Sequence, residues 1–315
     1  MYRYLVKRLG LLAVSLVGLS MLIFLLLRVI PGDAALFLAG ADNSNQAYVE
    51  EVRERLGLGD PVPVQYLRWA LNILAGDMGE SLFTRERVVH ALGARLPVSL
   101  ELGLLSLGLA VIIALPVGII SALKQDTWTD QGMRLGSIIS LAVPNFWLGT
   151  MAIVLGSKYF NWIPPVGYES FFTSPSRNLQ QFVIPVVILG TGLAASLARI
   201  LRSSMLEVMR EDYIRTARAK GLDTQSVVRR HMLKNALIPV VTLLGIQVGT
   251  IMGGAVILEN IFNLPGMGRL VVDAINRRDY PVVQGVVLAF GAFILLVNLV
   301  TDLVYVWLDP RISYR

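Results

Sequence analysis

A chain of 315 residues that is 55% hydrophobic and only 16% charged, with a mean hydropathy of +0.63, has the composition of a polytopic membrane protein, not of a soluble domain. Without cysteine, and with only His90 and His231, it offers no disulfide, thiolate metal site or cysteine nucleophile, and little histidine chemistry. Its net charge of +6 is interleaved with apolar runs instead of gathered on one soluble face, which argues against a nucleic-acid surface and points to membrane topology.

Crossing the hydrocarbon core takes about 20 apolar residues, and six runs of that order occur, at 9–27, 102–123, 135–157, 178–198, 235–258 and 280–301. The first follows "MYRYLVKR" and is longer than the apolar region of a signal peptide, so it reads as a retained span. Between the first two spans, "EEVRERLGLGDPVPVQYLRWALNILAGDMGESL" alternates apolar and charged residues at helical spacing, punctuated by glycine and proline. It predicts two short amphipathic helices. Pro116, Pro144 and Pro185 fall inside spans, where each frees a carbonyl one turn earlier. "VPNFW" adds Asn145 to one such kink, a point of flexure or a polar group on a pathway.

In the fifth run Gly245, Gly249 and Gly253 recur at intervals of four, the pattern of a close helix-packing face. Gln247 and Thr250 place hydrogen-bonding groups in the same helix, which makes them, with Asn145, candidates for a translocation path. Glu259 and Asp302 stand near span ends and read as interfacial carboxylates. Further on, "NLPGMGR" is rich in glycine and proline and predicts a loop or short re-entrant hairpin.

Orientation follows from the cations. With the N-terminus inside, the segments 1–8, 124–134, 199–234 and 302–315 hold sixteen of the 28 Lys and Arg, against seven acidic residues once Asp302 is left to the last span. The outside then has twelve basic and fourteen acidic residues, so both termini are read as cytoplasmic. The chain divides into 1–30, a cytoplasmic end with the first span; 31–96, an external segment; and 97–315, a five-helix core with a cytoplasmic loop at 199–234 and an external loop at 261–281. An all-α, six-span membrane protein is the predicted fold class.

No paired nucleophile and base lies at membrane depth, so an enzyme is not predicted. No phosphate-binding loop is present either: Lys220-Gly221 has the wrong order for one. Any ATP and Mg would therefore be bound by a partner, and the chain itself is predicted to bind no cofactor and no metal. An ion-coupled secondary carrier would need a charged group buried at mid-membrane, where only neutral polar residues are found.

The longest inside loop contains "YIRTARAKGL", Tyr213 to Leu222. Helix formers run up to Lys220, Gly221 supplies a C-terminal stop, and Asp223 is placed to cap a second helix that runs into the fifth span. On the first helix Tyr213, Ala217 and Ala219 or Lys220 share one side, and the small residues would let a partner approach closely.

"EDYIRTARAKGL" followed by "HMLKNALIPVVT" resembles the cytoplasmic signature loop of ATP-binding-cassette importer permeases of the peptide and nickel branch. The likeness continues in "RLGLLAVSLVGLSMLIFLLLRVIPGD", "VPNFWLG", "LRSSMLEVM", "ENIFNLPGMGRLVVDAINRRDYPVVQG" and "DPRI". It implies the type I importer permease fold in a bacterial inner membrane, a second homologous permease as heterodimer partner, one or two cytoplasmic ATPase subunits that carry ATP and Mg, and an external substrate-binding protein. Di- or oligopeptides are the implied cargo, with nickel chelates or glutathione as the alternative. Carried over, Tyr213 to Leu222 is the coupling helix, with Thr216 inside it, Ala217 in close contact with the ATPase, Gly221 at the turn, and Arg215, Arg218 and Lys220 as its cations. Arg215, Thr216 and Ala217 stand where the broader family has Glu-Ala-Ala, and Pro239 follows Gly221 by 18 residues, longer than in sugar permeases. Both features match the peptide and nickel branch.

Overall fold

The computed structural model describes residues 2–29, 50 and 59–308. The first of the two amphipathic helices predicted between 31 and 96, and the "DPRI" stretch, lie outside them. Among the described residues the regular structure is helical, apart from an isolated bridge between Glu80 and Arg87. In chain order the helices are α1 (Tyr2–Val29), α2 (Val62–Leu74), α3 (Val88–Leu123), α4 (Trp128–Ala142), α5 (Asn145–Phe160), α6 (Pro175–Val208), α7 (Asp212–Ala219), α8 (224–236), α9 (Ile238–Ile261), α10 (Met267–Arg277) and α11 (Tyr280–Leu308).

Five helices are long and apolar enough to span a bilayer, and α4 with α5 makes a sixth candidate bent by 89°. The expected kink at Pro144 within the third span, 135–157, is thus a near right-angle break between two helices. Val143 before the proline is extended at φ −85°, ψ 122°, as sterics demand of a residue preceding proline. Pro144 is therefore the residue before α5, not one inside a helix. By contrast Pro116 and Pro185 remain inside α3 and α6.

Other boundaries also move. α3 begins at Val88, well before residue 102, because charged and amphipathic turns around His90 and Arg95 continue the helix without continuing the apolar run. At 36 residues it is about 54 Å long, from a rise of 1.5 Å per residue. α6 likewise outruns its apolar stretch at both ends. α9 starts at Ile238, not at 235, since Pro239 in its first turn has no N–H to continue the ladder.

The described residues fall into two compact units, one within Met1–Pro97 and Gly266–Leu296, the other within Val98–Pro265 and Val297–Arg315. In the first, α10 buries Met267, Val271 and Ala274 against Ile23, Leu27 and Val88, while Asp273 and Arg277 face outward. The spacing of those three residues is that of one helix face, so of the predicted loop or hairpin a short loop at 263–266 is present and an 11-residue helix follows Gly266. Past it, Arg278 closes the helix at φ 56°. Asp279 is buried and accepts hydrogen bonds from Ser81 Oγ (2.5 Å) and the Leu82 amide (3.2 Å). α2 lies on α1 through Phe24, Tyr66 and Trp69, with ring centroids 5.4 and 5.5 Å from Phe24. Arg28 stacks 3.8 Å over the Phe24 ring and donates to Gln65.

The second unit is organised around α6, which packs against α4, α5, α9 and the end of α8. α3 approaches it so closely that a methyl group on Gly190 would lie 3.0 Å from the Ser106 carbonyl, and one on Gly118 would lie 2.9 Å from Leu201. In α9 the expected glycine face is only partly used. Gly245 abuts Thr301 and Gly254 abuts Leu189, while Gly253 has open space beside it within the chain. Glu259 is also corrected: it is fully buried, not interfacial, and accepts from Ser99 Oγ at 2.6 Å. A buried carboxylate with a hydrogen-bond donor in place of water is the arrangement that desolvation demands.

Two polar clusters fix the ends of α6. Near its C-terminus Arg202 grips Asp130 of α4 through Nε and Nη2 at 2.8 and 2.7 Å, while Ser121 of α3 and the Asp126 amide also donate to that carboxylate. Near its N-terminus Asn178 donates to Glu101 of α3 at 2.7 Å, and Tyr168 donates to the same carboxylate at 2.8 Å. Burial first, and then the bond to Glu101, push the Tyr168 hydroxyl up to about 12, so it remains a donor at physiological pH. Asp130→Ala strands the Arg202 guanidinium and is expected to cost about 3 kcal/mol, seen as earlier thermal unfolding of the purified chain. Unchanged unfolding would show that solvent already screens the pair.

Candidate functional site

The predicted helix, turn and second helix are present at 212–236. α7 is only eight residues long, too short to persist alone in water. It holds because Ile214 and Ala217, three residues apart, are buried and α7 packs on the segment Val227–Met232 of α8. Asp212 in its first turn and Arg218 in its last both complement the helix dipole.

The turn is a Schellman closure. Gly221 N–H donates to the Arg218 carbonyl at 2.9 Å and Leu222 N–H to the Ala217 carbonyl at 3.4 Å. That pair of reverse bonds needs a left-handed residue, and Gly221 supplies it at φ 81°. Asp223 then caps α8, its carboxylate accepting from the Ser226 amide at 3.1 Å. Bonds from the Ser226 side chain and then its amide hold the Asp223 carboxyl below its ordinary value.

α8 is not uniform: Val227–Met232 form a π turn between Thr224–Ser226 and Leu233–Ala236. Single π turns of this kind are local distortions that often mark functional positions. Val227, Val228 and Met232 are buried, and Arg229 and Arg230 are exposed. Tyr213 on α7 and Asn235 near the end of α8 meet in a 2.7 Å hydrogen bond. The two arms are thus tied both at the turn and across their open end.

The sequence-derived residues separate accordingly. Tyr213, Arg215, Thr216, Arg218, Lys220, Gly221 and Leu222 are exposed. Arg215 pairs with Asp212 at 2.9 Å, but with both side chains largely in water the pair adds little. Ala217, expected in close contact with another subunit, is 5% exposed and packs within the chain. The amphipathic period puts the small residue on the inner face with Ile214, and the cations on the outer one.

The proposed path residues are dispersed. Asn145 is half-buried beside Gly192 of α6, Gln247 is buried, and Thr250 is exposed. Among the described residues no hydrogen bond joins any two of the three. Sequence reasoning missed the Asp130–Arg202 pair, whose members are 72 positions apart and looked like two topology charges among many. It also missed Glu101, half-buried under the loop that carries Tyr168. Nothing local in the sequence marks either partnership.

Gly221→Ala forces a side chain into the left-handed region and is expected to weaken the turn by about 1 kcal/mol. Amide exchange at Leu222 would then run roughly fivefold faster while the α6 amides keep their protection. Because the fold lowers the Asp223 value, its capping contribution is full above the ordinary carboxylate range and is lost only as pH falls through the depressed value. Protection of the Ser226 amide along an acid titration reads this directly. A midpoint at or above the ordinary aspartate value would contradict it.

Comparison with known proteins follows the same lines. A family described as binding-protein-dependent transport system inner membrane component matches residues 114–314, and its N-terminal companion matches residues 1–103. A di/tripeptide transport system permease protein of Pseudomonas aeruginosa is 40% identical over 338 residues, covering 100% of both chains. A glutathione transport system permease protein of Pectobacterium atrosepticum is 39% identical over 316 residues, again covering 100% of both. Among solved structures, the MetNI methionine ABC transporter in an inward-facing conformation aligns with a TM-score of 0.56 at 19% identity, over 70% of this chain and 96% of that one. At that identity the likeness is one of fold. With both family matches in place along nearly its whole length, the chain belongs to the inner-membrane components of binding-protein-dependent transport systems.

Proposed function

We propose that the chain is one of two permease subunits in an ATP-driven importer that moves di- or oligopeptides into the cytoplasm. Both termini and the 212–236 hairpin lie on the cytoplasmic side, where α7 and its turn dock into an ATPase subunit. The observation that carries this reading is the construction of the hairpin. A helix too short to stand alone is closed by a Schellman turn, capped, tied through Tyr213 and Asn235, and joined without slack to α6 and α9.

Such a unit transmits displacement as a rigid body. α6 passes into α7 through turn bonds at Met209, Arg210 and Glu211, and α8 passes into α9 through Leu237. Closure of the ATPase would thereby act on two core helices at once. If the bundle has two packings of similar energy, ATP favours one through the contacts it alters at this hairpin. The outward cations Arg218 and Lys220, with Arg229 and Arg230, suit an acidic or polar socket. In this topology the segments 31–96 and 261–281 face the external binding protein, and 97–315 forms the permease core.

Peptide cargo rests on the relatives. The permease named for di- and tripeptides and the one named for glutathione, itself a tripeptide, are 40% and 39% identical. This near-equality keeps glutathione as a second reading within the same substrate chemistry.

The test has two parts. Affinity purification of the chain from its host membrane should recover a second permease and one or two ATPases. Gly221→Pro should retain insertion and ATP hydrolysis by those subunits but lose peptide uptake, by tenfold or more. Uptake at the normal rate by that variant, or recovery of the chain with no ATPase, would sink the coupling role.

A further inference from the structure

α3, α4 and α6 border a half-open cavity of about 310 Å³, at the small end for ligand pockets. It lies beside the Asp130–Arg202 pair. Most of its wall is apolar, including Ile138 and Leu141 of α4, and its polar lining consists of arginines and serines alone. Arg202 is already neutralised by its bidentate bond to Asp130. Arg134 of α4 and Arg199 of α6 are different: both are exposed at the cavity, and among the described residues neither has an acidic partner. Ser137 and Ser203 add hydroxyl donors beside them.

We infer that this cavity binds an anionic phospholipid, with the phosphate held by Arg134 and Arg199 and the first acyl carbons lying along Ile138 and Leu141. Guanidinium groups with no acid of their own provide charge complementarity, and their planar donors suit phosphate oxygens. The apolar wall continues onto Leu135, Ile138, Ile139 and Leu141, all exposed on a helix of the proposed sixth span. An amphiphile therefore fits where a fully hydrated solute would leave apolar surface uncovered. Basic pockets between membrane helices are a recurrent form of headgroup site. The bound lipid would bridge α4 and α6 beside their own ion pair, so it would bear on the same helix junction that Asp130 and Arg202 lock.

Native mass spectrometry of the full chain, purified with the subunits that accompany it, tests the assignment. The complex is titrated with phosphatidylglycerol, phosphatidylcholine or inorganic phosphate. Phosphatidylglycerol should be retained at least tenfold better than phosphatidylcholine, given the attraction of two cations for one anionic headgroup. That preference should vanish in Arg134→Gln/Arg199→Gln and persist in Lys124→Gln/Lys158→Gln, which removes two exposed cations outside the cavity. Leu141→Trp, at an already exposed apolar position, fills the slot while leaving both charges, and should lower retention even if the double variant fails to fold. Equal retention by the double variant overturns the proposal. So does displacement of the lipid by inorganic phosphate, which would make the ligand a free anion. Cross-linking of the Ser137→Cys variant to a second permease subunit, with no lipid preference, would overturn it too and assign the cavity to a protein interface.

Discussion

The second structural unit depends on the bidentate bond between Arg202 and Asp130. It joins three helices at one point, because Ser121 of α3 and the turn at Asp126 donate to the same carboxylate. In lipid, the apolar effect does not distinguish a helix neighbour from an acyl chain, so packing and hydrogen bonds decide which helices associate. The pair supplies direction where close contacts at Gly118 and Gly190 supply only proximity. Arg202 sits six residues before the end of a 34-residue helix that leads through the turn at Met209, Arg210 and Glu211 into α7.

That arrangement gives the hairpin at 212–236 its mechanical meaning. A lever needs a fulcrum, and the C-terminal part of α6 is held by charge while its N-terminal part is held by Glu101, Tyr168 and Asn178. Between these fixed ends α6 keeps Pro185 within a continuous helix. The hairpin itself carries little intrinsic helix stability and owes its shape to tertiary contacts of Ile214, Ala217, Val227 and Met232. Its stiffness and that of the bundle are therefore coupled, which is what the proposed transfer of ATPase motion requires.

Much of this was legible in the sequence, and the reason differs by element. Spans were visible because hydropathy acts over about 20 residues, and the Gly221 turn and Asp223 cap were visible because both depend on local backbone chemistry. Span boundaries were missed wherever a helix outran its apolar run, as at Val88 and at both ends of α6. The 89° break was half seen: "VPNFW" announced flexure, but a single proline cannot reveal how far the chain turns. The burial of Ala217 beside Ile214 was not legible, because the register of a short helix on its support is set by tertiary contact, and sequence spacing alone allowed either side. Partnerships across long separations, Asp130 with Arg202 and Ser99 with Glu259, had no local sign at all.

Facing outward on α7, Arg218 is the position from which the central claim is most directly tested. A photo-reactive amino acid placed there in the native membrane, activated by light, should cross-link to an ATP-binding subunit, with a yield that changes when ATP is supplied. That result would place the hairpin in the cytoplasm and in contact with the motor at once. A cross-link to an external binding protein, or to lipid alone, would contradict both the orientation and the coupling role.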